Sequence, residues 1–193
     1  MWALSKTLQL IVTTLLVAGC FRSPPVRFYS LKALPQSVER TVHTTGPRIE
    51  IMTSSFPSYL ATPQMVLRRS NGEVVVDDFN RWSEELRSNF ERTLIENLVV
   101  RLNNASILPV QVYQVSDPSR TVRIEVLQFE VVERDEALLK ARWGGGRGAG
   151  RSELPLVVSV FREPIENHTP EARAEALSRT VASLCEEITH AIR

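Results

Sequence analysis

The sequence predicts an α+β fold in which one mostly antiparallel or mixed sheet of about seven or eight strands is covered by two helices. Two kinds of pattern support this class. Several short segments alternate apolar and polar side chains with the period of a strand. Two long segments instead repeat apolar residues every three or four positions, which is the period of a helix. The two predicted helices span residues 78–102 and 170–192.

The first nineteen residues have the pattern of a secretory signal peptide. Lys6 makes the start weakly basic, and a short apolar run then ends in Val17-Ala18-Gly19-Cys20. A helix that spans a bilayer needs roughly 20 apolar residues, so this run is too short to be a span. Small residues before a cysteine match the bacterial lipobox. There the chain is cut between Gly19 and Cys20, the thiol takes a diacylglycerol, and the new amino group is acylated.

We therefore predict that residues 1–19 are a lipoprotein signal peptide and that Cys20 is the lipid attachment site, because two or more acyl chains give stable anchoring. The alternatives are an ordinary cleaved signal or a buried N-terminal helix, with Cys20 incidental. Residues 20–25 would be a lipidated tether. Since five residues extend to about 18 Å at most, the single domain predicted for residues 26–193 should lie against the membrane.

Phe21 and the charge balance indicate the location and exclude one class of partner. An Asp after the cysteine favours the inner membrane in enterobacterial lipoproteins, so Phe21 indicates the outer membrane, facing the periplasm, by analogy. Removing Lys6 from 23 basic residues leaves 22, which equals the 22 acidic residues. A neutral chain has no general attraction to nucleic acid. Cys185 then stands alone, cannot form an internal disulfide, and is predicted to be a small core residue.

The first half of the domain is predicted to contain two strands and then a hairpin. Residues 26–31 and 48–53 are strands, and residues 32–46 are polar and predict a surface loop. Residues 64–69 and 73–77 flank an Asn71-Gly72 pair. Because both of these residues tolerate positive φ, the pair is a strong hairpin signal.

The first helix is predicted from Asp78 to residue 102. Asp78 is a suitable N-cap, since its carboxylate can accept hydrogen bonds from the first turn. Asn103-Asn104 predicts the end, because Asn accepts the left-handed conformation that follows a helix. A continuous apolar stripe would pack on the sheet; it consists of Phe79, Trp82, Leu86, Phe90, Leu94, Leu98 and Leu102.

The second half predicts the remaining strands and the closing helix. The alternation slips by one position near Val126-Leu127, which predicts a β-bulge. Residues 144–150 contain five glycines and predict a loop. Pro170 is suited to the first turn of the last helix. The predicted strands are residues 110–115, 121–133, 136–143 and 153–161.

No catalytic, cofactor or metal site is visible in the sequence. His43, His168 and His190 are scattered, without the spacing of metal ligands, and no G-x-S-x-G motif occurs. The stretch GGRGAGRS imitates a phosphate-binding loop, but Arg151 replaces the required lysine and a predicted strand follows instead of a helix. We therefore predict that the protein is not an enzyme and carries no cofactor besides the acyl chains on Cys20.

The central segment resembles the PqiC (YmbA) family, the auxiliary lipoproteins of MCE-type ABC transport systems. The family pattern is roughly YL-x-x-PQ-[IVM]-V-x-R, a hairpin, F-x-RW-x-x-x-L and L-x-x-NL. This chain departs from it at Ala61-Thr62, where many members have an acidic or Asp-Arg pair. We expect the matching residues to be fold determinants rather than contacts; they are Tyr59, Leu60, Pro63, Gln64, Arg81, Trp82, Asn97 and Leu98, with Trp143 after the long β stretch.

The resemblance implies a non-catalytic part of a machine that moves lipid between membranes and maintains the envelope. Its partners would be the membrane, through the acyl anchor, and an MCE-domain protein whose tube it would dock at the outer membrane. A homo-oligomeric ring and contact with phospholipid would fit the same role. The alternatives are a scaffold or regulator lipoprotein of cell-wall synthesis and, below it, an envelope hydrolase.

Overall fold

The computed structural model describes residues 24–33, 47–103, 106–109, 120–133, 136–147 and 151–192. In these residues eight strands form one mixed sheet and two α-helices accompany it, so the predicted α+β class is confirmed. A single 3₁₀ turn, Ser58–Leu60, precedes the third strand. The elements are β1 (Arg27–Tyr29), β2 (Ile49–Ser55), β3 (Gln64–Arg68), β4 (Val74–Trp82), α1 (Leu86–Leu102), β5 (Ile107–Pro109), β6 (Arg120–Val132), β7 (Glu136–Arg147), β8 (Arg151–Pro164) and α2 (Pro170–Ile192).

The sheet is organised around β6, which is long enough to pair with three strands. One edge of β6 pairs antiparallel with β7, which in turn pairs with β8. The other edge pairs parallel with β2 near its start and parallel with β3 at its end. The β3–β4 hairpin and then β1 extend the sheet from there, so β1 and β8 lie at opposite ends of the strand order β1-β4-β3-β6-β7-β8.

Two local predictions for these strands are confirmed. The pairing of β6 with β7 shifts between Val126 and Gln128, which is the predicted bulge. The Asn71-Gly72 pair turns the β3–β4 hairpin, with Gly72 at φ 87°. The Arg69 amide donates to the Glu73 carbonyl at 2.8 Å and closes the hairpin.

The core lies between the sheet and the two helices. Phe56, Phe90 and Phe129 form a cluster of edge-to-face rings with centroids 5.2–6.2 Å apart. Phe90 lies on α1 and Phe129 on β6, and both are fully buried. Such ring pairs add stability beyond their area burial, so this cluster fastens the first helix to the central strand.

The predicted start of the first helix is wrong. The helix begins at Leu86, and residues 74–82 form β4 instead, with Glu85 at the N-cap position and without a side-chain cap bond. The β-branched run at 74–76 pairs with β3, and residues 80–82 pair with β1, so long-range pairing overrides the helical spacing. Asp78 is therefore not a cap. The predicted end is confirmed, because Asn103 takes the left-handed conformation at φ 48°.

The predicted loop at 144–150 is also corrected. β7 continues to Arg147 and β8 begins at Arg151, and residues 148–150 lie outside the described part. A Cβ at Gly145 would lie 1.9 Å from the Thr121 carbonyl oxygen. Gly145 therefore permits close approach of two strands. The predicted loop 32–46 from residue 34 onward, the strand 110–115, the turn at 134–135 and residues 1–23, with Gly19 and Cys20, lie outside the described residues.

Candidate functional site

Four of the family-pattern residues meet at the base of the β3–β4 hairpin. Gln64 lies opposite Arg81 in the strand pairing. The Trp82 amide donates to the Pro63 carbonyl at 2.6 Å. The Trp82 side chain is buried, and its backbone is paired with Tyr29 of β1. These residues therefore join the hairpin to the edge strand and to the core.

Tyr59 and Leu60 lie in the 3₁₀ turn beside a buried ion pair. Arg68 donates two hydrogen bonds to the carboxylate of Glu130, at 2.6 and 3.1 Å. The Glu130 side chain has 0% exposure and that of Arg68 27%. The Arg68 guanidinium lies 5.0 Å from the centroid of the Tyr59 ring, within the range of a cation–π contact. The Arg68–Glu130 ion pair therefore joins the hairpin to β6 in addition to the backbone pairing of β3 with β6.

This cluster changes two side-chain pKa values. Hydrogen bonds from Arg68 to Glu130 raise the pKa of the guanidinium above its ordinary value. Burial, followed by the nearby carboxylate of Glu130, raises the pKa of Tyr59 to about 12. Both groups therefore keep their protons throughout the neutral range. No sequence signal marked Glu130, because its polar partner on β3 is 62 positions away.

The other family-pattern residues lie apart from the hairpin. Asn97 and Leu98 are buried on α1. Trp143 is buried on β7, and its indole N–H donates to the Ser159 hydroxyl at 3.1 Å. Ser159 in turn donates to Glu187 of α2 at 2.7 Å. The nine pattern residues thus lie in at least three separate regions of the fold, and their role as fold determinants stays a prediction.

Cys185 lies on α2 and is fully buried in the core, which confirms its predicted position. Its thiol donates to the Leu94 carbonyl at 3.5 Å. Burial raises the pKa of this thiol to about 12. Because the thiolate is the reactive form of cysteine, burial of Cys185 disfavours its reaction at neutral pH.

The β3–β4 hairpin is interrupted near its base. Met65 faces Asp77, but the next pair joins Gln64 to Arg81, so residues 78–80 lie outside the β3–β4 pairing. Asp77 holds this bulge together. Its Oδ1 accepts from the Phe79 amide at 3.1 Å and from the Asn80 amide at 3.2 Å, and its Oδ2 accepts from the Asn80 side-chain amide at 2.9 Å.

A cavity of about 320 Å³ opens beside this bulge. Side chains of β3, β4, β6, both helices and the 3₁₀ turn line it, and a charged rim is provided by Asp77, Asp78 and Arg173. Arg173 lies 3.8 Å from Asp77. The volume of the cavity is at the lower end of the range for small-molecule sites. The deeper apolar walls include Leu60, Met65, Val66, Trp82, Leu86 and Phe129.

Two groups of large apolar side chains are exposed at opposite ends of the sheet. Near β1 and β4 they include Phe28, which is 64% exposed, and Phe79, which is 41% exposed. On β8, Leu156, Val158 and Val160 alternate along the strand and face outward. Contiguous apolar surface of this kind marks interaction sites.

The described residues contain no cluster of three or more metal-ligating side chains. Neither of the two described α-helices is both long and apolar enough to cross a bilayer. In the described part of the chain, the cavity beside the bulge and the two groups of exposed apolar side chains are candidate binding surfaces.

A family model described as ABC-type transport auxiliary lipoprotein component matches residues 29–189. One similar solved structure is an uncharacterized protein with 18% identity and a TM-score of 0.71, in which the match covers 88% of this chain and 100% of that one. Another is protein XCC0632 from Xanthomonas campestris, with 12% identity and a TM-score of 0.64, covering 84% of this chain and 91% of that one. At these identities both show the fold alone. No curated protein matches this sequence.

Proposed function

The chain belongs to the family of ABC-type transport auxiliary lipoprotein components, the PqiC (YmbA) type, and from this premise we propose that it is a non-catalytic docking component of an MCE-type transport system. The observation that carries the proposal is the family match, which covers residues 29–189 and therefore almost the whole folded part. The family-pattern residues support the fold, so we assign the function to surfaces rather than to a reaction centre.

The proposed anchor is Cys20, acylated after the chain is cut behind Gly19. Three residues separate Cys20 from Pro24, the first described residue, and β1 begins three residues later. Because β1 is an edge strand of the sheet, the anchor would hold that edge of the domain at the bilayer. Phe21 favours the periplasmic face of the outer membrane.

The proposed partner surface is the outward face of β8, at the other end of the sheet. β8 pairs with β7 only, among the described strands, so its second edge is open. Exposed strand edges are commonly covered in proteins or used for pairing with another chain. The apolar stripe at Leu156, Val158 and Val160 would pack against the tip of the MCE tube, and a ring of copies of this chain would match the symmetry of that tube.

Cross-linking in the native envelope followed by purification of the full-length protein tests this function. We expect an MCE-domain protein among the cross-linked partners of the wild type. We expect Val158→Arg to lose that partner, because it places a charge in the apolar stripe. Arg69→Ala, a half-exposed position at the distant β3–β4 hairpin, should retain it. Cys20→Ser should abolish incorporation of labelled palmitate.

Recovery of a peptidoglycan synthase in place of an MCE-domain protein would refute the transport role and would favour the cell-wall alternative. Unlabelled wild-type protein would refute the lipid anchor.

A further inference from the structure

The hydrogen bonds of the β4 bulge hold open the cavity beside it. The three residues that leave the β3–β4 pairing would otherwise continue the hairpin across this position. Asp77 binds two backbone amides of the bulge, which keeps Phe79 at the mouth of the cavity. The opening is therefore a built feature of the hairpin.

The walls of the cavity match a hydrocarbon better than a polar ligand. Most lining side chains are aliphatic or aromatic. Two of the acidic side chains that reach it are already paired: Glu130 accepts from Arg68, and Asp77 accepts from the bulge amides. A polar ligand would find few open partners there, and a buried polar group without a partner is destabilising. An apolar chain gains by leaving water and needs no such partner.

The mouth lies on the side of the domain that leads to the proposed anchor. Arg27 of β1 is aligned with Asn80, the residue that follows Phe79. Arg27 is seven positions after Cys20, a distance of at most about 25 Å when fully extended. Phe28, exposed on the same edge strand, adds apolar surface on this side. The bilayer that holds the acyl anchor is therefore within reach of the mouth.

We infer that the cavity holds one acyl chain of a membrane phospholipid, with the headgroup outside at the charged rim. This inference deepens the proposed function, because the position of the mouth near a bilayer rests on the anchor at Cys20. A volume of about 320 Å³ equals that of roughly ten water molecules, and hence of a similar number of methylene groups. Val76 and Phe79, half-exposed at the mouth, cover part of the remaining chain.

Photo-cross-linking in a bilayer tests the inference. The full-length lipidated protein is placed in nanodiscs of phosphatidylethanolamine and phosphatidylglycerol that contain phosphatidylcholine with a diazirine at the end of one acyl chain. After illumination, labelled peptides are identified by mass spectrometry. We expect label on the buried walls of the cavity, at Leu60, Met65, Val66 and Phe129. These walls are buried in the domain, so label on them requires that the chain end enters.

Two matched variants separate entry from simple proximity. Val76→Trp closes the mouth, and Val158→Trp makes the same change on β8; the two valines are 44% and 51% exposed. We expect Val76→Trp to reduce label on the walls about tenfold, which corresponds to the loss of only two buried methylene groups. Val158→Trp should leave it unchanged. Thermal unfolding near that of the wild type verifies that each variant is folded.

Label confined to residues 20–29, or equal wall labelling in wild type and Val76→Trp, would overturn the inference. The partner assay keeps this result distinct from the proposed function. Val76→Trp should lose the label and still cross-link to the MCE-domain protein. A wild type that binds this partner but has no label on the walls refutes the acyl-chain site alone, whereas labelled walls without the partner refute the docking role alone.

Discussion

The ion pair between Arg68 and Glu130 allows a quantitative prediction about the stability of the protein. Arg68→Met removes the cation from a carboxylate that has 0% exposure. Breaking a buried ion pair from one side destabilises by about 3–5 kcal/mol, because the remaining charge keeps its desolvation penalty. For a domain of this size each kcal/mol shifts Tm by about 2–4 °C. We therefore expect Arg68→Met to unfold roughly 6–20 °C below the wild type.

Substitution of the other partner, Glu130, should lower stability less, because the two partners are unequally buried. Glu130→Gln leaves Arg68, whose side chain is 27% exposed, in contact with water. The expected loss is about 1.5–3 kcal/mol, the range for hydrogen bonds to charged groups. In the double variant Arg68→Met/Glu130→Met no charge remains buried. It should therefore be more stable than Arg68→Met alone.

Thermal unfolding of the full-length lipoprotein in a non-ionic detergent, followed by circular dichroism, measures all four proteins. Arg69→Met is the matched control, since Arg69 is half exposed and pairs with the equally exposed Glu73; surface pairs contribute about 0–1 kcal/mol. A Tm for Arg68→Met close to that of Arg69→Met would refute the importance of the buried pair. A double variant less stable than Arg68→Met would refute the assigned desolvation penalty.

Three further predictions follow from single residues. Gly145→Ala should destabilise by about 1–3 kcal/mol in thermal unfolding, since its Cβ would collide with the β6 backbone, whereas Gly146→Ala, with nothing within 4 Å, should be near neutral; equal Tm values for the two would contradict this. The folded-state pKa of Tyr59, raised from 10 to about 12, contributes stability that is complete below about pH 10 and lost as pH rises to about 12. Tyr59→Phe should therefore show a smaller decrease in Tm over that alkaline range, and an unchanged slope would disprove the assignment. The native mature protein should present no thiol to a disulfide reagent at neutral pH, and one, Cys185, after denaturation; a second thiol would mean that Cys20 is not acylated.

Features that depend on a few neighbouring residues were predictable. Gly72 takes positive φ in the hairpin turn, and Asn103 takes it at the end of α1. The bulge at Val126 was visible because a period of two that slips by one residue leaves a trace in the sequence. Each of these depends on backbone preferences that act over a few bonds, and therefore does not need the rest of the chain.

The start of α1 was not predictable in this way. Phe79 and Trp82 have the spacing of a helical stripe, but the same residues also continue a β-branched run. Residues 74–82 form a strand rather than a helix because β1 and β3 pair with β4 from both sides. Propensity is a weak preference that tertiary pairing often overrides.

By itself the sequence determined the class of the fold, the strands and helices with a clear period, the lipoprotein motif ending at Cys20 and the family resemblance. Only the tertiary structure decided that Arg68 meets Glu130, that β1 and β8 form opposite ends of the strand order and that a cavity opens beside Phe79. The physical reason is one of distance along the chain. Periodicity and turn chemistry act between near neighbours, whereas an ion pair or a cavity wall joins residues whose separation in sequence leaves no pattern to read.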